Sequence, residues 1–332
     1  MSYHFFETKK EITSKLLGQK EILEDLKYML LIRHFESRAE VAYQAGRVGG
    51  FFHSYAGQEA IQVAAVRACG LKDWYSTSYR CHALALLLGA SPDELMAELY
   101  GRETGNVKGR GGSMHFYTET LLGGFGIVGG QIPIGTGAAF TCKYLGQKER
   151  ISLCFMGEGA VAQGAFHESL NIASLWELPC LYIIENNKWG MGTSVDRAIS
   201  VREIAEKKAI GYGMQGYTIN GMDYLHCYEA FHFFKEEIIR TGKPILVEAI
   251  TERFKGHSIS DPAAYRDKNI LSTCIDPIMT IKQLVLEKGL ATKEEIGEMD
   301  KEMRLRVIAS MKYAEESPWP NITTLEEGVF AP

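Results

Sequence analysis

Between residues 151 and 254 the sequence alternates two periods, and this alternation constrains the fold more than any other feature. "RISLCFMG", "PCLYIIENN" and "KPILVEAITERF" are near-continuous apolar runs of strand length. "GAVAQGAFHESLNIASLWEL", "SVREIAEKKAIGYGM" and "DYLHCYEAFHFFKEEIIRTG" lie between them and read as helices, with "QGYTING" as a further short strand. A strand without a polar face is covered on both sides, and strands joined through helices run parallel. The expectation is an α/β fold, a parallel sheet with helices on both faces.

The flanking sequence adds helices to this body. Residues 20–45 repeat apolar residues at three- and four-residue spacing, the mark of an amphipathic helix. "GGFFHSYAGQEAIQVAAVRACG" reads as a loop entering a second helix. "DWYSTSYRCHALALLLG" reads as a short strand, a polar turn and a buried helix, and Pro92 opens another helix at its first turn. Residues 101–137 are dense in glycine; a structureless stretch of this length inside a compact domain is usually functional. The following "GTGAAFTCKYLG" is a helix with a small-residue face that permits close contact. From Asp276 onward the chain is mostly helical and charged. We divide it into an α/β domain over residues 1–275 and a helical extension of the same domain over 276–332.

The loop "FMGEGAVAQG", Phe155 to Gly164, follows a strand and opens a helix. Gly157, Gly159 and Ala162 match the G-x-G-x-x-G/A pattern of a dinucleotide site, and Glu185 ends the next strand ~20 residues on, where a ribose-binding acid would sit. Glu158 points to a second reading. A carboxylate beside a diphosphate is repelled unless a cation lies between them. Mg²⁺ takes hard oxygen ligands from phosphates and one or two carboxylates, while the helix start receives the phosphates. Asn186 and Asn187, directly after the next strand, offer a second oxygen ligand at the edge where open parallel sheets bind ligands.

The spacing G-[D/E]-G, about thirty residues, Asn-Asn resembles the thiamin-diphosphate fingerprint. "SYRCHA", "GRGGSMHFY", "GGFGIVGGQIPIGTG", "GEGAVAQGAFHESLN", "LPCLYIIENNKWGMGTS" and "GHSISDP" occur in the order, and across roughly residues 25–320, in which they resemble the alpha subunits of the pyruvate dehydrogenase component of 2-oxo-acid dehydrogenase complexes. The resemblance implies a thiamin-diphosphate-binding fold. It implies Mg²⁺ held by Glu158, the Asn187 side chain and the Trp189 carbonyl. Glu158 stands where the family usually has aspartate, one methylene shorter. Trp189 stands for the usual tyrosine at little cost, because only its carbonyl is used. Gly159 and Ala160 would present backbone N–H groups to the diphosphate, and Tyr79 and Arg80 would bind its far side, where a guanidinium fork suits phosphate oxygens. His257 would face the diphosphate and the entrance. Gly126 and Val128 would touch the aminopyrimidine ring through their backbones, and His53 would lie on the substrate side. Lys255 replaces a frequent histidine. Ser258 matches a position phosphorylated in some relatives, and Ala264 replaces a second such serine.

The activity so implied is oxidative decarboxylation of pyruvate, with reductive acetylation of a lipoyl group on the lipoyl domain of dihydrolipoyl acetyltransferase. The full complex then gives acetyl-CoA. The glutamate that activates the pyrimidine belongs to a separate beta subunit, so this chain would be half of an active site in a two-alpha, two-beta assembly. The helix after Gly130 would be a contact face. An acetoin or branched-chain 2-oxo-acid alpha subunit is the alternative substrate reading. A nicotinamide dehydrogenase explains neither Glu158 nor Asn187, and a scaffold paralogue without its metal is favoured only by the Asp-to-Glu departure.

Composition bears on partners and setting. A net charge of −5 without a long charged run speaks against nucleic acid and anionic membrane surfaces. No apolar run approaches the ~20 residues of a membrane span. The seven scattered cysteines form no C-x-x-C pair and suit a reducing compartment. The first residues carry no apolar signal core, and their glutamates argue against a transit peptide. The expected location is the cytoplasm. His4, His34, His226 and His232 read as surface or packing residues. His82 and His115 lie in polar, glycine-rich segments, where they either act in the site or order its loops.

Overall fold

The computed structural model describes residues 3–8, 17–267 and 269–328. The outermost residues included in the domain division lie outside the described residues. In chain order the main elements are α1 (Gln19–Gln44), α2 (Glu59–Cys69), β1 (Trp74–Ser78), α3 (His82–Leu87), α4 (Pro92–Leu99), β2 (Leu121–Phe125) and α5 (Gln131–Tyr144). They continue with β3 (Ser152–Gly157), α6 (Gly164–Leu175), β4 (Cys180–Asn186), α7 (Ile204–Ile210), β5 (Gln215–Asn220), α8 (Tyr224–Thr241), β6 (Ile245–Ile250), α9 (Pro277–Glu287) and α10 (Lys293–Glu316).

The six strands form one sheet in the order β2-β1-β3-β4-β6-β5, and every neighbouring pair is parallel. Alternate strand residues feed two cores. Leu153, Phe155, Leu181, Ile183 and Val247 join the apolar faces of α1, α2 and α8. Cys154, Met156, Cys180, Tyr182, Ile184 and Leu246 join those of α5, α6 and α7 on the other side. The period of two thus explains why the strands read as uninterrupted apolar runs. The helices α9 and α10 pack against α1, and α10 also against α4, with Arg306 clamped on Asp93 (2.6 and 2.9 Å). Among the described residues no helix is long and apolar enough to cross a membrane.

Local chemistry agrees with several expected boundaries. Ser91 caps α4 through the Glu94 N–H (3.2 Å), the Glu94 carboxylate accepts the Ser91 N–H (2.9 Å), and Pro92 occupies the first turn. Three expectations are corrected. The glycine-rich stretch is not structureless: it contains β2, the edge strand paired with β1. Two glycines break its apolar run, and packing demands them there. A Cβ on Gly123, at φ +127°, would lie 2.5 Å from the Tyr117 ring, and one on Gly124 2.4 Å from the Met114 carbonyl oxygen. The segment from Gly159 to Leu178 is also not one helix. A 3₁₀ turn, Glu158–Ala162, comes first, Gln163 is extended, and α6 starts at Gly164. The helix α5, in turn, starts at Gln131, before "GTG". The small residues allow it to lie close on the sheet: a Cβ on Gly135 would be 2.8 Å from Ser76 Oγ.

Candidate active site

In strand order β1 has β2 on one side and β3 on the other, so the loops leaving their carboxyl ends diverge. Such a divergence opens a crevice in a parallel sheet. A cavity of about 520 Å³ fills it, within the range of ligand sites. His53, Tyr79, Arg80, Gly126, Val128, Glu158, Gly159, Ala160, Asn187, Trp189 and His257 all line this one cavity. They come from six separate segments, brought together by the strand ends.

Register sets the floor. Gly157 pairs with Glu185 across β3 and β4, so the residues that follow each strand are neighbours. Glu158 is 3 % exposed and accepts the Asn187 N–H (3.3 Å). Burial pushes its carboxyl above the usual range. The two asparagines diverge in use. Asn186 is turned into the protein, donating to Glu248 Oε1 (2.6 Å) and accepting the Lys188 N–H (2.9 Å). Asn187 lines the cavity. The turn beyond it holds Lys188 (φ 70°) and Met191 (φ 52°) in the left-handed region, a strain that clusters at functional loops. Glu185 sits behind, accepting from the Tyr55 hydroxyl (2.5 Å) and Gln62 Nε2 (3.2 Å), and burial pushes it up to about 7. These partners make it an interior acid rather than a ribose-binding one.

The opposite wall is cationic and aromatic. The Arg80 guanidinium donates to the Ser54 and His257 carbonyls (2.6 and 2.7 Å), tying the two loops that carry the cavity's histidines. Two of its five donors are thereby committed to the backbone. His53 Nδ1 donates to the same His257 carbonyl (2.8 Å), which fixes the tautomer and leaves Nε2 as an acceptor. The His53 ring lies 4.3 Å from Tyr79 and 4.9 Å from His257, centroid to centroid. Burial, with the Arg80 charge, holds His53 down at about 4 and His257 at about 3. Both imidazoles are neutral at neutral pH. His82 is wholly buried between Glu36 and the Ser113 carbonyl (2.9 and 2.8 Å), and His115 binds the Gly111 carbonyl (3.0 Å). Of the two roles left open for them, the contacts are those of loop ordering.

The cavity also contains residues that sequence reasoning missed: Phe51, Gln58, Met114, Gln131, Met191 and Arg253. Gln58 and Gln131 bring side-chain atoms that are buried without a partner, as does His257 Nδ1. Gln58 stands just before α2 in the quoted "GQEA" segment, its one available signal. Arg253 is 1 % exposed and donates to Asn187 Oδ1 (3.2 Å) and the Trp189 carbonyl (3.5 Å).

These residues fit a diphosphate held through a metal. Buried polar atoms without partners face a cavity of ligand size, and a Cβ on Gly157 or Gly159 would meet open space, so the backbone there is accessible. Among the described residues no three His, Cys, Asp or Glu side chains come together. A metal here would rely on one carboxylate and neutral oxygens, a donor set that suits Mg²⁺ completed by phosphate oxygens.

Known proteins give a consistent comparison. A family model described as dehydrogenase E1 component matches residues 27–323. Pyruvate dehydrogenase E1 component subunit alpha of Rickettsia bellii (strain RML369-C) is 42% identical over 316 residues, covering 94% of this chain and 96% of its own. The protein of that name from Rhizobium meliloti (strain 1021) is 41% identical over 326 residues, covering 96% and 93%. The mitochondrial one of Kluyveromyces lactis is 39% identical over 320 residues, covering 95% and 77%.

Proposed function

The chain belongs to the dehydrogenase E1 component family, and from this premise we propose that it is the alpha subunit of a pyruvate dehydrogenase component that binds thiamin diphosphate and Mg²⁺. One observation carries the reading. A buried carboxylate, an amide oxygen and a backbone carbonyl, from Glu158, Asn187 and Trp189, share the floor of a cavity whose far wall is Arg80, Tyr79 and His257. The relatives described above carry the pyruvate name, and nothing in the cavity favours the acetoin or branched-chain alternative.

Bound thiamin diphosphate supplies an electron sink for loss of carbon dioxide from a 2-oxo acid. The chain's own residues position and neutralise. Glu158, Asn187 and the Trp189 carbonyl would hold Mg²⁺; Gly159 and Ala160 would present N–H groups to the diphosphate. Arg80, Tyr79 and neutral His257 would also bind the diphosphate, and the backbones of Gly126 and Val128 would receive the aminopyrimidine. His53 offers Nε2 to a proton or a hydroxyl on the substrate side, because Nδ1–H is spent on the His257 carbonyl. Phe51, Met114 and Met191 add apolar surface to the cavity lining.

A beta subunit completes the site and supplies the carboxylate that activates the pyrimidine. The lipoyl domain of dihydrolipoyl acetyltransferase takes the acetyl group. The apolar outer faces of α5 and α6 support a partner chain: Phe140, Tyr144 and Trp176 form an exposed aromatic group with centroids 5.8 Å apart along each link. Seven unpaired cysteines, six of them buried, support a cytoplasmic setting.

The test is native mass spectrometry of the chain drawn from its own cells, with cofactor and metal identified. Thiamin diphosphate, Mg²⁺ and a stoichiometric second chain are the expected result. A lone chain carrying nicotinamide, or no cofactor, overturns the reading.

A further inference from the structure

Among the described residues, Arg253 is the one cation on the metal side of the cavity, and the metal-diphosphate site leaves it without a role. It follows β6, is almost wholly buried, and among the described residues forms no ion pair with a carboxylate. Its acceptors are neutral: Asn187 Oδ1 (3.2 Å), the Trp189 carbonyl (3.5 Å), the Lys255 carbonyl (3.1 Å) and the Tyr265 hydroxyl (3.4 Å). A buried charge that no carboxylate bonds directly, with Glu158 and Asp261 attracting it only from a distance, is costly and calls for a reason to be kept.

The reason lies in which oxygens it touches. Nη1 is shared between Asn187 Oδ1 and the Trp189 carbonyl, the two neutral oxygens that the proposed metal site uses. Two oxygens brought together without a cation repel. A guanidinium between them keeps both facing the cavity, while a divalent ion arriving at the same pair meets a like charge. An exit for the guanidinium is at hand. Nη2 already reaches Tyr265, whose hydroxyl donates to Asp261 Oδ2 (2.5 Å), and that oxygen also accepts the His257 N–H (2.7 Å). A guanidinium leaving the floor therefore moves towards the Asp261 carboxylate, beside His257.

We propose that Arg253 is a place-holding cation: it keeps the Asn187 and Trp189 oxygens aligned for a metal, yields them when the metal binds, and shifts onto the Tyr265–Asp261 pair beside His257. Arg253 is thus a positioning residue that competes with the metal for its ligands and links loading of the floor to the loop bearing His257. The inference rests on the metal-diphosphate reading of the site.

The experiment uses the intact assembly, stripped by chelation and then titrated with Mn²⁺ at fixed thiamin diphosphate, free Mn²⁺ being counted by electron paramagnetic resonance. Arg253→Met removes the competing cation without removing the bulk. It should lower half-saturation by about tenfold, the scale of one charge-assisted hydrogen bond no longer competing. Arg253→Lys, which keeps a cation, should stay near wild type. Unchanged or weaker Mn²⁺ binding in folded Arg253→Met overturns the proposal and makes Arg253 a structural or diphosphate-binding group. Should that variant fail to fold, a crystal structure of the wild-type assembly with metal and thiamin diphosphate decides. Arg253 Nη1 out of hydrogen-bond reach of both oxygens supports displacement; Nη1 still between them overturns it. Wild-type protein that takes up no Mn²⁺ shows instead that the metal-diphosphate reading has failed, and this inference falls with it.

Discussion

Glu158 lies where a carboxylate has little to gain on its own: it is 3 % exposed and accepts one long N–H from Asn187, and burial raises its proton affinity against the weaker pull of Arg253 and Arg80. A cation resolves that cost. Loss of outer partners of a metal ligand costs about 10–100-fold in affinity, so removal of the ligand itself should reach the upper end or beyond. Glu158→Ala is therefore expected to abolish Mg²⁺-dependent uptake of thiamin diphosphate in equilibrium dialysis, and Glu158→Asp to retain it. An Ala variant with undiminished uptake removes the role assigned to Glu158. The two cavity histidines give a second prediction. Both sit below the ordinary value of 6.5, at about 4 and about 3. As pH falls below 6.5 the unfolded chain binds protons that the native site refuses, so their contribution lowers stability from about pH 6.5 down to about pH 4. Labelled imidazole signals should show two histidines still neutral at pH 5, one of them with the proton on Nδ1. Two extra titrations between pH 6 and 7 would contradict the burial argument. Eleven cavity residues were legible from the sequence because they lie within spaced motifs, most of them just past strand ends. Arg253 was not. In "TERFKG" nothing distinguishes it from an exposed basic residue, and its burial comes from the packing of distant segments.

At the scale of elements, the legible parts were those with an unbroken period. The alternation in β3, β4 and β6 survives because each face is apolar, whereas β2 is short, interrupted by glycines, and recognisable only by what it packs against. The loop before it shows how such a segment is held without regular structure. Glu98, at the end of α4, is wholly buried, and its carboxylate accepts the N–H groups of Val107 (2.9 Å), Gly109 (2.8 Å), Gly111 (2.6 Å) and Gly112 (3.1 Å). Four donors converge on one acid, so a stretch thick with glycine gains a fixed shape, and Met114 is carried to the cavity wall. Glu98→Gln leaves one oxygen and turns an amide NH₂ towards two of these donors. Each buried group left unpaired costs about 1–3 kcal/mol. In a protein of this size 1 kcal/mol corresponds to ~2 °C or somewhat more, so a melting temperature lowered by several degrees is expected. A thermal scan of the variant with no shift would mean that the loop keeps its shape by other contacts.

For the whole molecule, the question is why a chain with so complete a core leaves large aromatic side chains in water. The sheet is covered on both faces, so α5 and α6 are not short of partners on their inner sides. Their outer sides expose Tyr144 at 78 %, Leu175 at 72 % and Trp176 at 50 %, with Phe140 between them, stacked on Tyr144 and tilted against Trp176. Scattered apolar residues on a surface call for no explanation, but a contiguous aromatic group on two adjacent helices does. The same helices begin at the cavity, with the Gly126–Val128 segment and the loop of Glu158 before their first turns, and carry the aromatic group at their far ends, so a chain docked here reaches the cavity only by extending along both helices. Tyr144→Glu combined with Trp176→Glu places two charges in that face and leaves both cores untouched. The double variant should keep its circular-dichroism spectrum and lose the second chain in native mass spectrometry, because an unpaired charge buried at an interface costs several kcal/mol. Assembly that persists at wild-type strength would move the contact to another face, and the exposed aromatic group would then need a different occupant.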